Sequence, residues 1–358
     1  MKSLKKVVII TIVILSYIQI NAQTLTGVVY DKTTKESIHG VYVYLDGTSM
    51  VEVTDNSGKF TLSVRQMINT RLVLRHVAYH TVIIENPFVH IPDTIYMEER
   101  PNTLSEVVVR PQFTRQQRLR AFREQFLGTT QAGRSCKIVN EDDIQTGFNL
   151  ATNTLFASSD KPIEVVNDYL GYRILFDLVD FQVQYSNITL DRDKVVQSYF
   201  AVATSFVDLR PNNRRIKRRR DEVYANSSAF FFKNLANNTL DESGFRIYKG
   251  GLRTDYRQHF TIEDTLSLKM IRLLPIDYQV HFRTDSVQTI RLMPEDFGKS
   301  QLSTFSVVYR RKQSDIRFLT DALLVDQYGN IDKIDKVLFL GEMGRNRAGD
   351  MLPIDYEP

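Results

Sequence analysis

The chain has 358 residues, room for two domains, and with 42% hydrophobic and 25% charged residues its composition is that of folded protein and excludes a disordered polymer. A formal charge of +4 says little about partners, and a single cysteine, Cys136, excludes an internal disulfide framework. In residues 1–22, Lys2, Lys5 and Lys6 precede the apolar run 7–20, and Asn21 and Ala22 follow it. This is the pattern of a secretory signal peptide cleaved after Ala22. Ser16 and Gln19 interrupt the run, which is shorter than the ~20 residues a bilayer requires, so a transmembrane anchor is the weaker reading. Removing three lysines and no acid lowers the formal charge of +4 by three, to +1. No cysteine lies at the cleavage point for lipid attachment. The expectation is therefore an exported protein, periplasmic or associated with the outer membrane, that is not a lipoprotein and has no transmembrane segment in its mature chain.

Residues 25–62 alternate short apolar runs with turn residues and are predicted to form consecutive β-strands. Val28 and Tyr30, then Val41, Val43 and Leu45, then Val51 and Val53, then Phe60 and Leu62 fall at period two. The breaks are residues 32–37, Asp46 with Gly47, and residues 55–58. Further strands are expected at 71–76 (RLVLRH), 81–85 (TVIIE) and near Ile95 (DTIYM). About seven strands in this span suit a sandwich of two antiparallel sheets.

These residues carry a resemblance. Gly27, Val28 and Val29, Asp31, Ile38, Gly40 and Val41, Gly47 and Thr48, Thr54 and Asp55, residues 58–60, and Val77, Ala78 and Tyr79 resemble the carboxypeptidase regulatory-like domain of bacterial envelope proteins. The resemblance implies a transthyretin/prealbumin-like β-sandwich; Ala78 stands where the family commonly has Gly. The domain reading is 1–22 signal peptide, 24–98 sandwich, 99–113 linker or edge strand, and 114–358 an α+β, mostly antiparallel β domain. Within the linker, Leu104–Val109 (LSEVVV) is similar to the strip that precedes the plug of TonB-dependent receptors beginning with this module. It reads alternatively as an edge strand of the sandwich or a crossing to the second domain.

Beyond Thr114 the period changes. Leu119, Phe122 and Phe126 lie three and four apart in TRQQRLRAFREQF, which predicts an amphipathic helix with Thr114 as N-cap and Gly128 as stop. In residues 172–185, Ile174, Phe176 and Leu178 share one phase and Phe181, Val183 and Tyr185 the other, so a β-bulge or sharp bend is expected at 178–180. A second helix is expected from Ser227 or Ser228, burying Phe231, Phe232 and Leu235. The remainder reads as strands and turns. Residues 126–128, 136–138, 170–172, 227–235, 244–245, 341–344 and 350–356 resemble Bacteroidetes-type envelope proteins that pair one regulatory-like sandwich with such a domain. That resemblance implies no particular activity.

Candidate chemistry is sparse. Zinc carboxypeptidase chemistry requires an HxxE, and none of His39, His76, His80, His90, His259 and His281 begins one. His76 and His80 in an extended chain are about 13 Å apart, too far to share an ion. Cys136 could be a nucleophile only with a histidine near it in space and otherwise behaves as a small buried hydrophobe. Residues 55–58 (DNSG) read as a hairpin turn in preference to a calcium loop, and Glu141, Asp142 and Asp143 as a solvated turn or cap. Arg214, Arg215, Lys217, Arg218, Arg219 and Arg220 form the strong cationic run, a solvated face or a contact for anionic lipid or polysaccharide. No aromatics are interleaved for base stacking, so nucleic acid is not an expected partner. No catalytic or metal residue and no cofactor is assigned. The leading expectation is a non-enzymatic binding or assembly module of the cell envelope whose partner is an envelope protein or glycan. An enzyme with its site in the α+β domain and an accessory of TonB-dependent uptake are the alternatives.

Overall fold

The computed structural model describes residues 23–64, 68, 70–76, 78–99, 112–265, 268–281, 287–293 and 303–358. The expected signal peptide and the Leu104–Val109 strip lie outside the described residues.

The first unit contains β1 (Gln23–Asp31), β2 (Tyr42–Leu45), β3 (Val51–Val53), β4 (Lys59–Val64), β5 (Leu72–Arg75), β6 (Val82–Ile84) and β7 (Thr94–Met97). They form sheets of order β4-β1-β7 and β3-β2-β5-β6, which enclose Leu25, Val29, Val41, Val43, Phe60 and Leu62. This is the β-sandwich expected from the sequence, with one difference. The β1–β7 pairing is parallel, with Val28 opposite Thr94, although antiparallel sheets were expected. On β1, Leu25 and Val29 face the core, and Val28 and Tyr30 are only partly buried. Gly27 sets this phase: a Cβ there would stand 2.9 Å from the Phe60 ring, so the glycine makes room for an aromatic of the inner face. Val51 and Val53 are exposed because β3 lies at the sheet edge.

Helix α1 (Arg115–Phe126) opens the second unit as its spacing predicts. Thr114 accepts from the Gln117 amide, Gln117 returns the bond to the Thr114 amide, and Gly128 takes φ +85° beyond the end. Leu119, Phe122 and Phe126 are buried against a sheet of six strands among the described residues: β8 (Cys136–Ile138), β9 (Ile144–Asn149), β10 (Thr154–Ser159), β11 (Ile163–Asn167), β12 (Tyr172–Tyr185) and β13 (Val195–Asp208). The expected bulge is present, with a register shift between Leu178 and Asp180 against β13. It turns Val179 outward, 64% exposed, so that Ile174, Phe176 and Leu178 before it and Phe181, Val183 and Tyr185 after it all face the helix. At the same place β12 changes neighbour. Its first half pairs β11, with Ile163 opposite Phe176, and its second half pairs β10, with Leu155 opposite Val183.

A third core follows. Helix α2 (Arg214–Tyr224) leads into α3 (Ser228–Ala236), capped by Ser227, whose hydroxyl accepts from the Phe230 amide. Phe231, Phe232 and Leu235 of α3 pack with Phe245, Phe260, Phe305 and Phe318. Around them lie two sheets built from β14 (Arg246–Lys249), β15 (Leu252–Thr254), β16 (Phe260–Thr265), β17 (Leu268–Leu273), β20 (Thr304–Tyr309), β21 (Lys312–Phe318), β22 (Ala322–Val325) and β23 (Val337–Leu340); β18 (Ile276–His281) and β19 (Val287–Leu292) pair as a separate hairpin.

Residues 348–356 tie the three units together. The Gly349 amide donates to the Leu127 carbonyl at 3.1 Å, and the Thr130 hydroxyl to Asp350 Oδ1 at 2.6 Å. The Ile354 amide donates to the Gly47 carbonyl of the sandwich at 2.8 Å, while Asn330 Nδ2 of the third unit donates to the Ile354 carbonyl at 2.9 Å. Gly47, at φ +80°, is where a side chain would collide with Ile354, 2.8 Å from an added Cβ.

Candidate functional site

Alternation along a strand sends successive side chains to opposite faces. In the second half of the β12 sheet one face packs on α1 and the other is open. On the open face lies a groove of about 650 Å³ spanning β9, β10, β12 and β13. Cross-strand register arranges its lining in two rows. Asn149, Thr154, Gln184 and Gln197 stand side by side across four strands. The next row is Gly147, Phe156, Gln182 and Tyr199. Phe156 is 48% and Tyr199 51% exposed, so two aromatic rings flank Gln182, one strand away on either side. The Phe156 ring lies over Gly147, where an added Cβ would stand 2.1 Å from it. An aromatic opposite a strand glycine covers the backbone the glycine leaves bare, which holds this ring in place. Gln182 Nε2 donates to both oxygens of Asp180, at 3.2 and 3.1 Å. None of these groove residues stood out in the sequence; the run Asp180, Gln182, Gln184 alternating with Phe181, Val183 and Tyr185 was the available signal.

The groove is held beside the sandwich by a polar junction. The turn after β2 adds to the edge of β13 as a short parallel pairing of Thr48 with Ser205. The Gly47 amide donates to the Thr204 carbonyl at 2.7 Å and the Phe206 amide to the Thr48 carbonyl at 2.9 Å. Asp46 Oδ1 accepts from the Thr204 amide at 2.7 Å, and Asp46 Oδ2 pairs with Arg71 at 2.5 Å. Alongside, Arg75 of β5 forms a buried ion pair with Asp177 of β12, Arg75 Nη2 donates to the Asp160 carbonyl at 3.0 Å, and the Thr81 hydroxyl donates to Asp177 Oδ2 at 3.1 Å. Tyr44, Val73 and Ala203 form the apolar contact beside them.

The cationic run divides. On α2, Ile216, Arg220 and Tyr224 recur every four residues and are buried. Arg220 grips Asp208 with two bonds of 2.7 Å, donates to the Leu170 carbonyl at 2.7 Å and stacks 3.8 Å over Tyr172. Burial works to raise the Asp208 carboxyl, but the Arg220 and Arg210 hydrogen bonds outweigh it and hold it below the ordinary value. Arg219 lies over the Tyr169 ring and donates to its carbonyl at 3.2 Å. Arg214, Arg215, Lys217 and Arg218 are exposed, and of these Lys217 pairs with Asp221 and Arg218 with Glu222 along the helix. The run is thus one helix with four outward cations, and Arg220 is turned inward to an internal partner.

The other candidates are accounted for locally. Cys136 is half-buried and its Sγ donates to the Ala132 carbonyl at 3.4 Å; burial, then the charges of Asp350 and Asp168, push its thiol up to about 12. A thiol so placed supplies little of the thiolate that nucleophilic chemistry requires. Asp55 Oδ1 accepts from the amides of Ser57 and Lys59 at 2.8 and 2.9 Å, with Gly58 at φ +73°, so residues 55–58 form a turn; it is not the expected hairpin, because β3 before it and β4 after it belong to different sheets. Glu141 pairs with Arg123 and Asp143 with Lys161. The His76 ring packs edge-on to Tyr79, and among the described residues no group of three or more His, Cys, Asp or Glu side chains is placed to hold a metal.

A family model described as CarboxypepD_reg-like domain matches residues 25–109, the sandwich together with the segment after it. No curated protein matches the chain.

Proposed function

We propose that the protein is an exported, non-enzymatic binding or assembly module of the cell envelope, in the periplasm or at the outer membrane. In this reading the regulatory-like sandwich orients a recognition face carried by the β12 sheet. The observation that carries it is the junction. Backbone hydrogen bonds from Gly47 and to Thr48, with the buried Arg75–Asp177 pair, hold the sandwich in one orientation beside an open groove. A fixed scaffold next to a polar concavity suits recognition, because preorganisation lowers the ordering cost of binding. Cys136, the side chain that an enzymatic reading would enlist, is held as a neutral thiol.

Fractionation of native cells making the tagged full chain, followed by crosslinking and affinity capture, tests this reading. The expected result is recovery in the envelope fraction with the same envelope component in repeated preparations. Recovery in the cytoplasm, or as an isolated chain with no bound component, refutes it.

A further inference from the structure

We infer that the groove on the open face of the β12 sheet is a binding site for a neutral oligosaccharide, a deduction that rests on the binding-module reading above. Its lining is unlike an ordinary solvated sheet face. Charged residues are 25% of the chain, yet of the nine groove residues among those described only Asp180 is charged, and no described lysine, arginine or glutamate contributes. The rest are amides, threonines and two exposed rings.

That inventory selects the ligand. Gln184 and Gln197 each carry one carbonyl acceptor and two N–H donors, so a single side chain can donate to one hydroxyl and accept from its neighbour; Asn149, whose Oδ1 takes the Ala151 and Thr152 amides, adds N–H donors, and Gln182, whose Nε2 bridges Asp180, adds a carbonyl acceptor. Vicinal hydroxyls of a sugar offer this alternation at adjacent carbons. Asp180, already bridged by Gln182, adds a stronger acceptor without giving the site a cation. Phe156 and Tyr199 supply faces whose negative quadrupole attracts the weakly positive C–H face of a pyranose. They are separated by two strand spacings, about 10 Å, so a single ring would not cover both, and an oligomer lying across the strands would. Charge argues against the other occupants. A nucleic acid or an acidic glycan brings anions that need arginine or lysine, and none lines the groove among the described residues. A protein interface is centred on buried Trp, Tyr or Arg anchors surrounded by apolar contacts, whereas this floor is a row of amides.

Calorimetric titration of the full chain with neutral gluco-, manno- and xylo-oligosaccharides, an acidic hexuronate oligosaccharide and an extended peptide tests the inference. The expected result is binding of at least one neutral oligomer, weakened about tenfold or more by Tyr199→Ala, consistent with the loss of one stacked ring and its polar handle. Gln197→Ala, a smaller change at an exposed side chain, is expected to weaken it less. Val196→Thr, exposed on the same strand but outside the groove lining, should bind as the parent does. Circular dichroism establishes that each variant is folded, and Gln197→Ala carries the test if Tyr199→Ala is not. Binding of none of the neutral oligomers, or binding indifferent to both groove variants, overturns the inference. Binding of only the hexuronate or the peptide, lost in the groove variants, overturns the neutral-glycan assignment and leaves the binding-module reading standing.

Discussion

Asp177→Ala tests the physical account of the junction. The Arg75 side chain is 10% and the Asp177 side chain 12% exposed, so the pair is screened little by solvent. Beyond Asp177, Arg75 has the Asp160 carbonyl at 3.0 Å. Removing the carboxylate therefore leaves a guanidinium in a nearly dry interface without the partner that neutralised it, and it also removes the carboxylate to which the Thr81 hydroxyl donates. Breaking a buried pair from one side costs about 3–5 kcal/mol, because the surviving charge keeps its desolvation penalty. Replacing both partners by apolar residues of similar volume, Arg75→Met with Asp177→Leu, removes that penalty and should return most of the loss. Because the pair joins two units, Asp177→Ala should also split one unfolding transition into two. Equilibrium urea unfolding followed by circular dichroism and by tyrosine fluorescence, the chain having no tryptophan, measures both effects. A loss below about 1 kcal/mol for Asp177→Ala, or a double variant no more stable than the single one, would show that the pair is solvated and that the junction is held by its backbone bonds alone.

Three further outcomes follow from the side chains. With its thiol pushed up to about 12, Cys136 holds on the order of one thiolate in ten thousand at pH 8; a disulfide reagent should modify it slowly in the native chain and rapidly in urea, and fast native labelling would contradict its placement. The Asp208 carboxyl is held below its unfolded value, so its pairing with Arg220 contributes fully above about pH 4 and is lost as pH falls through the folded pKa. Thermal unfolding from pH 2 to 6 should then fall less steeply for Asp208→Asn than for the parent, and equal slopes would argue against the pair. Replacing Arg214, Arg215, Lys217 and Arg218 with glutamine should weaken retention on anionic vesicles in a salt-sensitive way. Each cation is worth up to about 1 kcal/mol near such a surface, less for Lys217 and Arg218, whose helical partners already neutralise them; unchanged, salt-insensitive retention would rule the contact out.

Local rules made much of the fold legible. Thr114, with Gln117 three residues on, marked the start of α1; Ser227 marked α3; and the phase change between Leu178 and Phe181 located the bulge, because a strand cannot turn both phases to the same face without an extra residue. The inner face of β1 was not legible, because Gly27, between Leu25 and Val29, carries no side chain to mark it. The groove was opaque for a different reason. Phe156, Gln182 and Tyr199 come from three strands and become neighbours only through register, which depends on pairings between residues far apart in the chain.

The amino-acid sequence by itself determined the strands and helices and the sandwich at the front of the chain, since period, caps and turn residues act within a few residues of one another. The tertiary structure alone decided which charges are internal. Arg220 and Arg218 are the same residue type two positions apart, and one grips Asp208 under α2 while the other faces water, because a helix turns about 100° per residue and only contact with the sheet says which side is in. The same holds for Asp177 and Asp180, three residues apart on β12. The bulge between them puts both on the face away from α1, where the sandwich covers the first, which pairs with Arg75, and the second is left in the groove with Gln182.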